Sequence, residues 1–292
     1  MRRAILMVCL LALGCSKSDR SRSMIQNKGS DTMVNLAQAW AEEYRKVEPA
    51  VAIAVTGGGS GTGIASLENG PVDIANASRE MKDEERALAK KNTGKDPVEF
   101  LVAYDALAIY IHSSNPMNGI TKAQLACIYG EKGTCTKWTD LGASVPGCPD
   151  QEIVRIGRQN NSGTYAYFRE WVLGEKEDFK LGSRDMQGSK DVVDLVEKTP
   201  CAIGYSGIAY RTPAVKVSCV VDAAGESCVD PSIENAVSGK YPISRKLYMY
   251  TLGQPAGAVA KYLDWARSDA GQAIVERIGY APLKPELRSK PR

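Results

Sequence analysis

With 292 residues, 43% of them hydrophobic, the chain is long enough to bury a substantial core in one large domain or two smaller ones. Its formal charge is only +3, and without Arg2 and Arg3 the 37 basic residues fall to 35 against 34 acidic ones. So balanced a chain lacks the basic face that binding a phosphate backbone requires, which argues against nucleic acid as a partner.

Arg2 and Arg3 precede the apolar run AILMVCLLAL (Ala4 to Leu13). The run is too short to span a membrane and suits the core of a signal peptide. Its end, LALGC, resembles a bacterial lipobox, in which the signal is cut before the cysteine and the sulfur is lipidated. Ala12 stands where leucine is usual, and a plain secretory signal with an incidental cysteine is the alternative. The expected division is a lipoprotein signal peptide over residues 1–14, then a lipidated Cys15 and the polar tether SKSDRSRS over 15–23.

After the tether, helix-like and strand-like patterns alternate. TMVNLAQAWAEEYRKVEP places Val34, Ala37, Ala41 and Tyr44 at helical spacing, and Pro49 closes it. VAIAVT (Val51 to Thr56) is a strand, the glycine-rich TGGGSGTG (Thr56 to Gly63) follows, and GIASLEN starts a helix. VDIANA is a strand and KDEERALAKKN a surface helix. This grammar predicts a mostly parallel sheet flanked by helices. VEFLVAYDALAIYIH (Val98 to His112) is too long for an ordinary strand and is expected to cross between two lobes, with LYMYT (Leu247 to Thr251) as the return. Thr121 and Gln124 have capping-box spacing ahead of the helix LACIYG. EIVRIGR, QNNSG and TYAYFREWVLG form a second strand–loop–helix unit, and the C-terminal AGAVAKYLDWARSDAGQAIVERIGY supplies two more helices.

Six cysteines follow the leader and Cys15: Cys127, Cys135, Cys148, Cys201, Cys219 and Cys228. An even number in an exported chain favours disulfides, although sequence alone does not choose among the possible pairings. The best local pair is Cys219 with Cys228, on strand-like segments joined by DAAGES. Zinc is the rival, but CxxC spacing is absent and His112 is the single histidine, so no metal site is expected.

Three places set hydroxyls and glycine where a helix starts: GSDT (Gly29 to Thr32), GSGT (Gly59 to Thr62) and NSGT (Asn161 to Thr164). The first amides of a helix lack intrahelical partners and, with the helix dipole, attract anions; ordinary N-capping is the bland alternative. The repeat of Ser60-Gly61-Thr62 as Ser162-Gly163-Thr164 in two separate units suggests two half-sites facing one ligand across a cleft. A nucleotide P-loop would need Gly-Lys-Ser/Thr, but SGTGIA has no lysine until Lys82. A dinucleotide fold would need an acidic ribose partner about twenty residues on, and Asp73 comes too early. Arg158 stands four residues before Ser162 and suits an anion at that helix start. A carboxylate nearby fits only an anion that carries a proton: Asp73 is expected to accept from the P–OH of hydrogen phosphate and to repel sulfate.

On these segments the chain resembles the phosphate-specific substrate-binding proteins of bacterial ABC importers, the PstS type. The resemblance runs through GSDTMVNLAQAWAEEY, VTGGGSGTGIASL, VDIANASREM, LACIYG, GRQNNSGTYAYF, AIGYSGIAY and YPISRKLYMYT. It implies a two-lobed periplasmic-binding-protein fold of type II, with lobe I over 24–103 and 249–292 and lobe II over 104–248. The implied phosphate ligands are Ser30, Thr32, Ser60, Asp73, Arg158, Ser162, Gly163 and Thr164. Asn160 departs from relatives that place an aspartate two residues after the arginine, so Arg158 is expected to be less neutralised. The implied function is capture of inorganic phosphate by a monomer, without cofactor or catalysis, for an ABC permease and its ATPase at a bacterial membrane. Arsenate, molybdate, tungstate or sulfate are alternative ligands. An exported phosphatase with a Ser60 or Ser162 nucleophile is a more distant alternative, since such a serine needs a base.

Overall fold

The computed structural model describes residues 23–289. The signal peptide, Cys15 and the tether up to Arg22 lie outside the described residues. β1 (Ser23–Gly29) enters a 3-10 turn (Asp31–Met33) and α1 (Val34–Val47), β2 (Val51–Thr56) enters α2 (Ser60–Glu68), and β3 (Ile74–Ala77) precedes α3 (Asp83–Thr93). On α1, Leu36, Ala37, Trp40 and Tyr44 form one buried stripe. The helix ends one residue short of Pro49, because the residue before a proline is disfavoured in helical conformation.

β4 (Pro97–His112) is one uninterrupted strand of 16 residues. Beyond it come β5 (Gly119–Thr121), α4 (Lys122–Tyr129), β6 (Val154–Arg158), α5 (Gly163–Leu173), β7 (Arg184–Met186), α6 (Ser189–Glu197), β8 (Ala202–Gly207), β9 (Val215–Val221) and α7 (Ile233–Val237). The chain returns through β10 (Ser244–Leu252) and ends in α8 (Gly257–Ala266) and α9 (Asp269–Ile278). The capping box opens α4: Gln124 N donates to Thr121 Oγ1 at 3.1 Å and Thr121 N to Gln124 Oε1 at 2.9 Å.

The strand order is β2-β1-β3-β10-β4-β8-β6-β7, with β9 also on β4 and β5 on β9. Pairing is parallel within β2-β1-β3, within β8-β6-β7 and between β5 and β9. It turns antiparallel wherever β4 or β10 joins. β4 serves both lobes: Pro97 to Ala106 pair with β10, and Leu107 to His112 pair with β8 and β9. β10 pairs with β3 and β4 from Ser244 onward, so the chain has returned to the first sheet by that residue.

Each sheet is covered on both faces. In the first lobe Trp40, Met249 and Tyr262 pack on one side, and Ile64, Leu67 and Tyr250 on the other. In the second, alternation along β4 sends Ile109 and Ile111 to the cluster holding Trp138, Phe168 and Tyr205. It sends Ala108 and Tyr110 to the cluster of Ile156, Val192 and Val196. Three disulfides lie in this lobe: Cys127–Cys135, Cys148–Cys201 and, as the local pattern suggested, Cys219–Cys228.

Candidate functional site

The helix starts after β1, β2 and β6 meet between the lobes, beyond the carboxyl ends of parallel strands, where open α/β sheets place their ligands. From the first lobe come Ser30 and Thr32 on the turn after β1, and Ser60 at the start of α2. From the second come Arg158 at the end of β6, Ser162 as N-cap of α5, and Gly163 and Thr164 in its first turn. The two Ser-Gly-Thr loops touch. Gly61 N donates to Asn161 O at 2.9 Å, and Asn161 Nδ2 donates to Gly58 O at 2.9 Å and to Thr62 Oγ1 at 3.1 Å.

Two glycines permit this approach. Gly59 sits at φ 94°, in the left-handed region, with Asn161 O where its side chain would start. A methyl group on Gly163 would collide with Ser60 Oγ and Ser78 Oγ. The third helix start is held from two sides: Tyr210 donates to Asp31 O at 2.7 Å, and the Tyr280 hydroxyl donates to Thr32 O. Burial pushes the Tyr210 hydroxyl up to about 12, so it remains a proton donor at neutral pH.

The resulting cluster is buried and rich in hydroxyls: Ser30, Thr32, Ser60, Ser78, Ser162 and Thr164 are all nearly inaccessible to solvent. Thr32 Oγ1 and Thr164 Oγ1 lie 2.9 Å apart across the lobes. Ser60 Oγ accepts from Ser78 N at 3.0 Å and lies 3.3 Å from Ser78 Oγ. Ser162 Oγ caps α5 by accepting from Thr164 N at 3.1 Å.

Arg158 supplies charge from a fully buried position. Its Nε donates to Met186 O (3.3 Å), Nη1 to Ser189 Oγ (2.9 Å), and Nη2 to Gln187 O (2.6 Å) and Asp31 Oδ2 (3.2 Å). Burial pulls its pKa below the ordinary arginine value, and the Asp31 carboxylate opposes that pull. Asp31 is itself fixed, because Oδ1 accepts from Gly58 N at 2.8 Å.

Two expectations need correction. Asp73 is exposed and lies at the amino end of β3, where Oδ2 accepts from Gln26 N at 2.7 Å. The parallel β1–β3 pairing puts the cleft at the other end, five residues or about 16 Å further along an extended chain. Asp73 is therefore a strand-start cap and not a cleft residue. Nor is Arg158 short of a counter-charge. Asn160 does not provide one, but Asp31 does, from the opposite lobe.

Five residues escaped the sequence reading. Ser78 directly follows β3, Asp31 sits inside GSDT, and Asn161 precedes the second Ser-Gly-Thr. Asp105 and Arg245 form a buried pair on β4 and β10. The position of Ser78 at the carboxyl end of a strand was the available signal; Asp105 and Arg245 are 140 positions apart and only the sheet register joins them. The single histidine lies outside the hydroxyl cluster, with His112 Nδ1 2.8 Å from Ser114 Oγ.

Two covered α/β lobes joined by long strands, closing on a buried polar site, define a two-lobed binding protein. Residues 16–270 match the PBP superfamily domain. The phosphate-binding protein PstS of Pseudomonas aeruginosa is 36% identical over 276 residues, covering 91% of this chain and 85% of that protein. PstS of Bacillus subtilis is 29% identical over 266 residues, covering 91% and 82%. A phosphate ABC transporter substrate-binding protein from Clostridium perfringens, solved with bound phosphate, matches with a TM-score of 0.79 at 28% identity. That match covers 90% of this chain and 100% of the other. The chain belongs to the PstS family of phosphate-binding proteins.

Proposed function

We propose that the chain captures inorganic phosphate between its lobes and delivers it to an ABC import permease driven by a separate ATPase. The observation that carries this reading is the meeting of the two Ser-Gly-Thr loops over a buried hydroxyl cluster with a buried guanidinium beside it. In this reading Ser30, Thr32, Ser60, Ser162, Gly163 and Thr164 surround the anion with neutral donors, Ser78 joins them, and Arg158 supplies the charge. The proton-reading acceptor is Asp31, whose two oxygens are oriented by Gly58 N and Arg158 and retain lone pairs for a P–OH. Micromolar affinity corresponds to about −8 kcal/mol, within reach of several such hydrogen bonds in a closed cleft.

β4 and β10 act as hinge strands, β4 changing partners between Ala106 and Leu107 and β10 lying on the first sheet from Ser244, and lobe closure is a hinge motion. The protein works as a monomer on the outer face of a bacterial membrane, tethered through a lipid on Cys15. The hydrolase alternative has less support: Ser60 Oγ faces Ser78, Ser162 Oγ caps α5, and His112 is engaged with Ser114 rather than with either serine. Calorimetric titration with inorganic phosphate, sulfate and arsenate tests the reading. Saturable phosphate binding with weak sulfate binding is expected, and absence of phosphate binding overturns it.

A further inference from the structure

The second buried guanidinium of the cleft is Arg245, on β10, paired across the strands with Asp105 on β4. A purely structural Arg–Asp pair usually lays two guanidinium nitrogens against two carboxylate oxygens. Here the pairing is skewed. Arg245 Nε (3.0 Å) and Nη2 (2.7 Å) both donate to Asp105 Oδ2, so Asp105 Oδ1 receives no nitrogen of the fork. The Ile208 backbone amide is a further donor to the carboxylate, and Arg245 Nη1 is buried without a partner among the described residues. Nη2 spends one of its two hydrogens on Asp105, and the other goes to Thr32 Oγ1 at 3.1 Å. On its other side the guanidinium carbon lies 5.7 Å from the centre of the Tyr167 ring, on α5 of the second lobe.

Thr32 thus receives a charge-assisted hydrogen bond on its oxygen. A hydroxyl has one proton and two lone pairs; with one lone pair taken by Arg245, the proton and a single lone pair are left for the Thr164 side. There the two hydroxyl oxygens lie 2.9 Å apart and either can donate, and the cation behind Thr32 favours donation. An oxyanion offers acceptors, so an ambivalent hydroxyl serves it best when already committed as a donor. We propose that Arg245 is a positioning residue for anion recognition, which acts through Thr32 and is itself oriented by Asp105. This rests on phosphate binding in the cleft as proposed above. It adds a cation that makes no direct contact with the anion, and it makes the two hinge strands part of the binding site.

A double-mutant cycle read by calorimetry with inorganic phosphate tests it. Asp105→Asn together with Arg245→Gln removes both charges without stranding one. This pair variant is expected to weaken phosphate binding about tenfold in the otherwise unchanged protein, and by less than about twofold when Thr32→Val is already present. An equal loss with and without the Thr32 hydroxyl overturns the proposal, as does unchanged affinity in the pair variant. If the pair variant does not fold, Arg245→Lys takes its place. It is expected to weaken binding in a Thr32→Ser background, which keeps the hydroxyl, and to have no effect in Thr32→Val; equal effects overturn the proposal. Failure of the unaltered protein to bind phosphate refutes instead the reading on which this one rests.

Discussion

All six cysteines beyond Cys15 lie from Cys127 to Cys228, in the lobe built on β5 to β9, and they pair there. The lobe that carries both chain ends has none. It is built from regular strand–helix units with a core on each face of its sheet. The second lobe has long irregular stretches: between α4 and β6 the regular structure is one 3-10 turn (Trp138–Leu141) and isolated bridges. Chain without helix or strand has fewer backbone bonds to fix it, and covalent links take over part of that work. The candidate ligand groups divide too: both lobes bring hydroxyls, while the Asp31 carboxylate comes from the first lobe and the Arg158 cation that meets it from the second.

The largest expected effect tests the first half of this contrast. Replacing Cys148 and Cys201 by alanine opens a 53-residue loop, which the chain-entropy estimate puts at roughly 4 kcal/mol. Removing Cys127–Cys135, separated by 8 residues, should cost about 2.5 kcal/mol. Hydrogen exchange with and without reductant should show the loss in β6 and β8 while β1 and β2 stay protected. Equal loss in both lobes would break the comparison.

The division of charge comes next. Arg158→Ala should weaken phosphate binding more than tenfold, since hydrogen bonds to a charged group contribute about 1.5–3 kcal/mol. Ser60→Ala in the opposite jaw removes one neutral donor and should cost about 1 kcal/mol. Titration calorimetry separates them, and a larger loss from Ser60→Ala would reverse the assignment. Asp31→Asn should lower phosphate affinity less than it lowers the preference for phosphate over sulfate. A selectivity that does not move in this variant removes Asp31 from proton reading.

Much of this was legible because the decisive signals were local. Glycine loops, capping spacing and the period of hydrophobic residues are written into short windows, and they located α1, β2, α4, β6 and both Ser-Gly-Thr loops. Asp73 failed because neighbourhood in sequence was taken for neighbourhood in space. One strand length separates the ends of β3, and the parallel sheet assigns function to only one of them. Asp31 lies inside GSDT, yet nothing local shows that its partner is Arg158, 127 positions away. Arg245 and Asp105 depend on the β4–β10 register, which composition and periodicity do not contain.

The smallest effect sharpens the contrast from the first lobe's side. Next to Ser78, Arg79 grips Glu85 through both nitrogens, at 2.8 and 2.6 Å, and Lys82 N donates to the same carboxylate at 2.9 Å. Burial pushes the Glu85 pKa up, but the Arg79 fork and the Lys82 amide outweigh it and hold the carboxyl below its usual value. A lowered folded pKa means that the ionised form stabilises the fold. That stability is complete above the unfolded value of about 4.3 and is lost as pH falls through the folded value. Glu85→Gln should therefore cost at most about 1 kcal/mol at neutral pH, and the difference from the unaltered protein should shrink on acidification below about pH 4. Chemical denaturation across that range measures it. A gap that stays constant with pH would mean that Glu85 contributes through its shape and not its charge. The first lobe should then respond to acid at this site and not to reductant, the opposite of the lobe that holds the disulfides.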